Sequence, residues 1–211
     1  MRVLVACEFS GIVRDAFIAR GHDAVSCDLL PTESPGPHVI GDVRELLDDG
    51  WDLMVAHPPC TYLTNAGVRW LYGDYGHKMA PTSLVGEPRW EAMRKGAELF
   101  RDLMAAPIPR IAVENPIMHA HAIAEIGRRQ DQVVQPWMFG EPVQKAVGLW
   151  LVGLPPLLAT GPICTERHQL VHKMAPSADR AHKRSVFFSG IARAMADQWG
   201  LLDPEAEGGT E

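Results

Sequence analysis

Short apolar runs rich in β-branched residues recur along the chain, and each run ends at a polar or turn residue. Seven such runs are predicted as strands: Arg2–Ala6, Asp23–Cys27, His38–Ile40, Asp52–Ala56, Arg110–Val113, Val133–Gln135 and Gly148–Val152. Helical segments alternate with these runs, and this alternation favours a parallel sheet that is covered on both faces. We therefore predict an α/β fold with a mostly parallel, doubly wound sheet.

Four segments carry apolar residues at helical spacing, and they are predicted as helices: Gly11–Arg20, Glu87–Ala105, Met118–Arg129 and Val186–Trp199. The segment Thr61–Pro88 has no steady period and is predicted as a long loop, of the kind that is usually functional or mobile in compact domains. Residues 1–202 are expected to form a single catalytic domain. The acidic, glycine-containing residues 203–211 are expected to be a disordered tail.

The composition suits a soluble protein, since hydrophobic residues make up 46% of the chain and charged residues 22%. The longest apolar runs are too short to cross a bilayer, and no signal peptide is recognisable at the start. The four cysteines are scattered without a CxxC pair. This distribution favours free thiols in a reducing compartment, so we expect a cytoplasmic protein that does not bind membranes.

The net charge of −6 is unusual for a protein dedicated to nucleic acids, which rely on Lys and Arg to neutralise phosphates. One exception is the segment Arg167–Arg184, which contains five Lys or Arg residues and three histidines. This segment could contact phosphates, or it could be an ordinary solvated loop of mixed charge. Both interpretations stay open at the level of the sequence.

The carboxyl ends of the predicted strands concentrate polar residues, and ligands of open α/β sheets bind at these ends. Asp28 could hold the ribose hydroxyls of an adenosine-type cofactor, and Asp42 could accept a hydrogen bond from an adenine amino group. Gly11 would let the backbone approach the ligand. The full G-x-G-x-x-G pattern is absent, which disfavours a phosphate-binding dinucleotide site. Each aspartate could also be a simple turn or cap residue.

Pro58-Pro59-Cys60 follows the fourth predicted strand, and two prolines there would fix the backbone and point the next side chain into the crevice. A thiol so placed is a candidate nucleophile, although a free cysteine is often only a buried structural residue. Glu114, at the next strand end, could stay protonated and donate a hydrogen bond to a ring nitrogen during thiol attack. Asn115 could orient that carboxyl group or bind the base.

Three motifs in order, Val5–Gly11 (VACEFSG), Ala56–Cys60 (AHPPC) and Ala112–Pro116 (AVENP), resemble the cofactor, Pro-Cys and Glu-Asn motifs of cytosine-5 DNA methyltransferases. The segments Gln135–Gly140 and Leu149–Pro156 are similar to those of small phage or prophage methylase-like proteins. The resemblance covers about residues 1–200 and is most specific at the Pro-Cys and Glu-Asn blocks. It implies a Rossmann-like class I methyltransferase fold and S-adenosylmethionine as cofactor.

The resemblance also implies a role for each matching residue. Cys60 would attack carbon 6 of cytosine, Glu114 would protonate nitrogen 3, and carbon 5 would take the methyl group. Pro58 and Pro59 would place the cysteine and flank the methyl donor. The remaining cofactor contacts would come from Phe9, Ser10, Gly11, Asp28, Asp42 and, ahead of the last helix, Ser189.

The chain departs from the family at two places. Gln135 is followed by Trp137 and Phe139 where the family carries arginines, so Lys145 or Arg184 would have to substitute. The stretch from Pro162 to Ser185 leaves no room for a target-recognition domain. The predicted partner is DNA, contacted by Arg167–Arg184 and Thr61–Pro88, with single-stranded DNA or a partner subunit as further options.

Two other functions remain open alongside methylation of DNA. The chain could modify a free pyrimidine deoxynucleotide through its cysteine, or it could be a catalytically inactive methylase-like protein that binds DNA or a partner. Cys164, His168 and His172 are spaced as metal ligands on a helix would be, yet a fourth ligand is not obvious, and no metal site is predicted. Tyr62, Trp70, Tyr72 and Tyr75 could stack on a base or on one another.

Overall fold

A computed structural model describes residues 1–73, 84–169 and 186–202, whose strands form one seven-stranded sheet. The strands are β1 (Arg2–Ala6), β2 (Asp23–Asp28), β3 (His38–Ile40), β4 (Leu53–Ala56), β5 (Ile111–Pro116), β6 (Gln132–Val134) and β7 (Val147–Val152). Their order across the sheet is β3-β2-β1-β4-β5-β7-β6. β7 runs antiparallel to both of its neighbours, β5 and β6, and the other adjacent strands of the described sheet are parallel. The predicted α/β fold with a mostly parallel, doubly wound sheet is confirmed.

Helices cover both faces of this sheet, as predicted. They are α1 (Ile12–Ile18), α2 (Glu87–Met104), α3 (Ala120–Ile126) and α4 (Ser189–Trp199). Alternate residues of each strand face opposite sides, so Val3 and Val5 join one core with α1 and α4 while Leu4 and Ala6 join a second core with α2 and α3. The two cores together fix the carboxyl ends of β1, β4 and β5 next to one another.

The fifth strand is longer than the sequence suggested. It was expected to end at Val113, and that boundary is wrong, because β5 continues through Glu114 and Asn115 to Pro116. The pairing with β4 does stop at Ala56 and Val113. On its other side, however, β5 pairs with β7 as far as Pro116, and this ladder keeps the strand extended. Glu114 therefore lies inside the sheet rather than in a turn.

Two other predicted boundaries differ from the structure. The last helix begins at Ser189 rather than at residue 186, and a 3₁₀ helix (Asn65–Tyr72) occupies part of the predicted loop 61–88. Residues 74–83 of that loop, 170–184 of the basic segment and the whole tail 203–211 lie outside the described residues. Among the described residues, no helix has the length and apolarity needed to span a membrane.

Candidate active site

The carboxyl ends of β4 and β5 place Pro58-Pro59-Cys60 beside Glu114. The last paired residues of these two parallel strands are Ala56 and Val113, so His57 and Glu114 follow at the same level of the sheet. His57 Nδ1 lies 3.2 Å from Glu114 Oε2, and the backbone N–H of His57 still donates to Ala6 O. We call the group formed by His57–Cys60, Glu114 and Asn115 the Cys60 edge.

Asn115 ties the proline turn to the sheet. Its side-chain Nδ2 donates to the carbonyl of Pro58 at 2.9 Å, and the residue is almost completely buried. Its Oδ1 is buried without a hydrogen-bond partner in the part of the chain that the structure describes. Pro58 is buried, Pro59 is exposed and Cys60 is half-buried. The backbone therefore changes from core to surface within these three residues, which leaves Cys60 accessible from the edge of the sheet.

The segment that follows Cys60 is held by donors from α2 and from the start of α3. Arg89 Nη2 donates to Thr61 O at 3.4 Å, and His119 Nε2 donates to Tyr62 O at 2.9 Å. The backbone N–H of His119 donates to Leu63 O at 3.0 Å. Three consecutive carbonyls thus have specific donors, and Cys60 is followed by a fixed chain rather than by a freely moving loop.

Arg89 is an arginine buried beneath this segment. Its guanidinium lies 5.0 Å from the centre of the Tyr62 ring, and burial lowers the pKa of Arg89 from its usual value. Gly67 makes room for it, since a Cβ on Gly67 would lie 2.1 Å from Arg89 Nη2. The 3₁₀ helix after Cys60 therefore packs directly on an α2 side chain.

His119 is neither exposed nor only a cap. The residue is buried, and both of its ring nitrogens are used. Nδ1 accepts from Ala122 N at 3.1 Å, which caps α3, while Nε2 donates to Tyr62 O. Burial lowers the pKa of His119, with the nearby charges of His121 and Arg89 acting in the same direction.

Most of the residues predicted to line the cofactor site, including Asp28 for the ribose and Asp42 for the adenine, lie at the ends of β1, β2 and β3. We call this group, formed by Cys7–Gly11, Asp28 and Asp42, the Asp28 edge. Ser10 Oγ donates to Glu8 Oε1 at 3.1 Å, and the same carboxylate accepts from Val13 N at 2.7 Å. Glu8 therefore caps the start of α1, and Ser10 belongs to that cap.

Gly11 has a left-handed backbone with φ of 77°. A Cβ at this position would lie 2.5 Å from Arg14 Nη2 and 2.9 Å from Ser34 Cβ. The buried guanidinium of Arg14 also bonds to Ser26 Oγ, Thr32 Oγ1 and Ser34 O. The packing of Arg14 thus accounts for the glycine without a ligand, and the approach of a cofactor to Gly11 stays a prediction.

Asp28 and Asp42 differ in how much of each carboxylate the protein uses. Asp28 is half-buried and accepts from Leu30 N at 2.9 Å, whereas Asp42 caps a 3₁₀ helix (Val43–Leu46) and pairs with Arg44. Burial, together with the charge of Asp28, raises the pKa of the neighbouring Cys7 thiol to about 12. Cys7 is therefore a poor nucleophile.

Phe9 and Ser189 complete the predicted cofactor residues. Phe9 is half-buried, and its carbonyl accepts from Glu33 N at 2.9 Å. Ser189 is the first residue of α4 and lies against Glu141, which accepts from Gly190 N at 2.6 Å and from Ser189 Oγ at 3.4 Å. The carboxylate of Glu141 therefore accepts a hydrogen bond from a backbone N–H at the start of α4 that has no partner within the helix.

A cavity of about 430 Å³ opens beside Pro59 and Tyr62. Its other walls come from α2, including Leu99, Gly96 and Lys95, and from Arg44, two residues after Asp42. The volume falls within the usual range of small-molecule sites, roughly 300–1,000 Å³. The cavity borders the exposed proline of the Cys60 edge, and Pro59 is the one predicted cofactor residue that lines it.

Only the first part of the basic segment is described. Arg167 lies 3.8 Å above the centre of the Trp137 ring, and its neighbour His168 pairs with the backbone of Pro142 and Gln144. Within the described ranges, no three His, Cys, Asp or Glu side chains are placed to hold a metal ion, and His172 lies outside them.

The sequence interpretation missed three residues of the Cys60 edge and its supports, namely His57, Arg89 and His119. His57 left a usable signal, because it follows β4 at the same level as Glu114 follows Val113 on β5. Arg89 and His119 left none, since their partners are backbone carbonyls that no side-chain pattern reveals. Only the assembled fold shows that both donate to the segment after Cys60.

No family model and no curated protein matches the chain. Solved structures with related folds include an Escherichia coli prophage protein described as a DNA modification methyltransferase. It has 15% identity and a TM-score of 0.39, and the match covers 72% of this chain and 46% of that one. The Entamoeba histolytica methyltransferase EhMeth has 13% identity and a TM-score of 0.47, over 84% of this chain and 61% of that one.

A DNMT2 mutant from Spodoptera frugiperda has 11% identity and a TM-score of 0.38, over 79% of this chain and 54% of that one. The chain thus matches between 46% and 61% of the length of these three proteins. Identities this low concern the fold alone, and the fold class itself follows from the strand order of this chain.

Proposed function

We propose that this protein transfers a methyl group from S-adenosylmethionine to carbon 5 of cytosine in DNA, with Cys60 as the nucleophile. One observation carries the proposal. An accessible cysteine after two prolines and a buried carboxyl group occupy the ends of two paired parallel strands, and Asn115 fastens one to the other through its 2.9 Å bond to Pro58 O. A thiol and an acid at one strand edge suit addition to an electron-poor ring.

The reaction starts with the thiol. The Cys60 sulfur, as thiolate, forms a bond to carbon 6 of the cytosine ring and pushes an electron pair towards carbon 5. Carbon 5 then takes a methyl group, its own proton leaves to a base, and the bond between sulfur and carbon 6 breaks. The thiolate is regenerated, so the cysteine is a covalent catalyst that is not consumed.

Glu114 has the second role in this scheme. Attack at carbon 6 places negative charge on the ring, and a protonated carboxyl group at nitrogen 3 can neutralise it. The side chain of Glu114 is only 11% exposed, and its Oε2 lies 3.2 Å from His57 Nδ1. Asn115, the next residue, ties the proline turn to β5 through its 2.9 Å hydrogen bond to Pro58 O.

S-adenosylmethionine would be held by residues at two neighbouring places. Pro59 lines the cavity, whose other walls include Leu99 and Tyr62, while Asp28, which does not line it, would hold the ribose hydroxyls. When bound, this cofactor supplies an electrophilic methyl group on a sulfonium. The protein's own task is to hold the base between Cys60 and Glu114 and to exclude water from it.

Methyl transfer to labelled substrates tests the proposal. The full chain is incubated with methyl-labelled S-adenosylmethionine and duplex DNA, single-stranded DNA or dCMP, and label is located by nucleoside analysis. We expect 5-methylcytosine with DNA, loss of at least about 10³-fold in Cys60→Ser, and no loss in Cys164→Ser as a matched control. Label in dCMP alone would replace DNA by a free nucleotide as substrate.

A covalent trap gives an independent readout. DNA that contains 5-fluorocytosine has no carbon-5 proton to release, so the bond between Cys60 and carbon 6 cannot break after methyl transfer. We expect a complex that resists denaturant and contains one peptide, the one that includes Cys60. Equal trapping by wild type and Cys60→Ser would contradict the proposal, as would background labelling by the wild type in every substrate.

A further inference from the structure

We propose that His57 is a positioning residue that works through Glu114, and that the two side chains form one proton-handling unit. This inference rests on the proposed function and adds a residue to its machinery. His57 directly precedes Pro58-Pro59-Cys60, so the same four residues would carry the nucleophile and the group that controls the acid.

The geometry of the pair is specific. His57 Nδ1 and Glu114 Oε2 are 3.2 Å apart, and their side chains are 12% and 11% exposed. At that separation one proton lies between the two atoms, on either the nitrogen or the oxygen. Oε2 therefore shares this proton with His57, and in the proposal Oε1 is the oxygen that donates to the substrate ring.

With the two oxygens of Glu114 in separate roles, each proton in the reaction has a defined donor and acceptor. Glu114 donates a proton from Oε1 to the ring nitrogen as the Cys60 sulfur bonds to carbon 6, and the carboxyl group becomes a carboxylate. His57 donates from Nδ1 to Oε2 and so stabilises that carboxylate in a site with little water. When the sulfur leaves, the proton returns from the ring nitrogen to Oε1, and the pair is restored.

A comparison with His119 shows that His57 is not simply a structural histidine. Both ring nitrogens of His119 have partners in the fold, Tyr62 O and Ala122 N. His57 Nε2, by contrast, is buried and lacks a hydrogen-bond partner among the described residues. Among the described residues, the fold therefore uses both ring nitrogens of His119 but only Nδ1 of His57.

The ring of His57 is nevertheless held in place. Its centre lies 4.6 Å from the centre of the Phe187 ring, and the two planes are inclined by 55°. Its backbone N–H is fixed by Ala6 O at 2.9 Å. An apolar neighbour on one side and the strand on the other restrict the rotation of the imidazole, so Nδ1 stays directed at Glu114.

Two substitutions separate orientation from mere space filling. His57→Asn keeps an N–H group where Nδ1 lies, while His57→Leu has similar bulk and no donor. We expect the rate of adduct formation with 5-fluorocytosine DNA to fall about 10²-fold in the leucine variant, and the asparagine variant to recover about 10-fold of it. The KM for DNA should change less than about threefold in both, because Glu114 acts in the chemical step. His22→Asn, a half-buried histidine away from this edge, is the control and should match wild type.

The outcomes distinguish the two proposals. If wild type forms the adduct and His57→Leu forms it at the same rate, His57 is not a positioning residue and the proposed function stands. If wild type forms no adduct, the proposed function and this inference both fail. A leucine variant that loses rate, without recovery in asparagine, also overturns the inference, since the loss then reflects packing.

A second measurement checks the pairing without any turnover. Histidine side-chain ¹⁵N spectra of the folded protein should contain one signal that disappears in His57→Asn. That signal should move in Glu114→Gln, where a neutral amide replaces the carboxyl group. An unmoved signal would overturn the pairing even if the leucine variant were too unstable to assay.

Discussion

The Cys60 edge and the Asp28 edge lie side by side on one sheet but treat their polar groups differently. At the Asp28 edge, Glu8 caps α1, Asp42 caps a 3₁₀ helix, and the buried Arg14 has several partners within the protein. At the Cys60 edge, two buried atoms, His57 Nε2 and Asn115 Oδ1, lack partners within the described residues. Most polar groups described at the Asp28 edge therefore have partners within the protein, whereas two at the Cys60 edge remain available for a ligand or water.

The comparison teaches how to separate two kinds of strand-end residue. An acid at a strand end is weak support for a ligand site, because turns and helix starts use the same residue types. An unsatisfied buried atom is stronger support, since native proteins contain few of them. The predictions below test whether the chemical step depends on the Cys60 edge and stability depends on the capping groups of the Asp28 edge.

The largest expected effect concerns Glu114. Glu114→Gln removes the transferable proton and should lower methyl transfer about 10²–10⁴-fold, while the similar shape of the amide leaves the midpoint of thermal unfolding nearly unchanged. Glu8→Gln is its counterpart on the Asp28 edge. That variant should lose about 1–2 kcal/mol of unfolding free energy and retain activity per folded molecule. Wild-type activity in Glu114→Gln would break the comparison.

The second prediction concerns thiol reactivity. The pKa of Cys7 is raised from 9.0 to about 12, chiefly by burial, so less thiolate is present at any pH below that value. At pH 8 we expect alkylation of Cys7 to be about 10³-fold slower in the folded protein than in guanidinium, with the rate rising as pH increases. Mass spectrometry of tryptic peptides measures both rates. Equal rates in the two states would show that Cys7 is not shielded.

Arg14→Leu should be the most damaging single change to stability at the Asp28 edge. It removes donors to the buried Ser26 and to the half-buried Thr32 and Ser34. We expect a loss of about 3–5 kcal/mol, or roughly 10 °C in the midpoint of thermal unfolding. Arg20→Leu, which removes an exposed ion pair with Asp197, should lose far less, because exposed ion pairs contribute little to stability. Similar losses in the two variants would contradict a structural role for Arg14.

The smallest expected effect is a dependence of stability on pH. Burial lowers the pKa of His119 below its usual 6.5, so the unfolded chain binds a proton more readily than the folded one. Its contribution is complete above pH 6.5 and is lost as pH falls through the unfolded pKa towards the folded one. His119→Asn keeps a cap for α3 but cannot titrate.

Thermal unfolding of wild type and His119→Asn between pH 5 and pH 8 provides the check. We expect the difference between the two curves to change by about 1 kcal/mol over this range, the worth of one helix cap. Burial also lowers the pKa of His22. Because His22 is present in both proteins, its contribution cancels when one curve is subtracted from the other. Parallel curves would mean that protonation of His119 does not disturb the segment after Cys60.

Much of this arrangement could be predicted from the sequence, for identifiable reasons. The strands β1, β3 and β4 were located because β-branched runs are short and are bounded by turn residues. The strand-end rule then brought Cys60 and Glu114 to one side of the sheet. The end of β5 was misplaced because its last three residues, Glu114-Asn115-Pro116, have poor strand propensity, and only pairing with β7 keeps them extended.

The supports of the site could not be predicted for a different reason. Arg14 lies in a helix and bonds to a loop about twenty residues later, and Arg89 lies 28 residues from Thr61. Their acceptors are carbonyl and hydroxyl groups that most residues or loops could supply. Such contacts depend on how the loops close over the sheet, which no local pattern in the sequence specifies.

The pairing of β5 with β7 has a further consequence for how the site can be altered. Gly148 on β7 lies opposite Asn115, and a Cβ there would come within 3.0 Å of Asn115 O and 3.1 Å of the Trp150 ring. A larger side chain at position 148 would push the backbone beside Glu114 without touching any ligand. The neighbouring strand β7 therefore constrains the position of Glu114, and the absence of a side chain at Gly148 permits the present spacing.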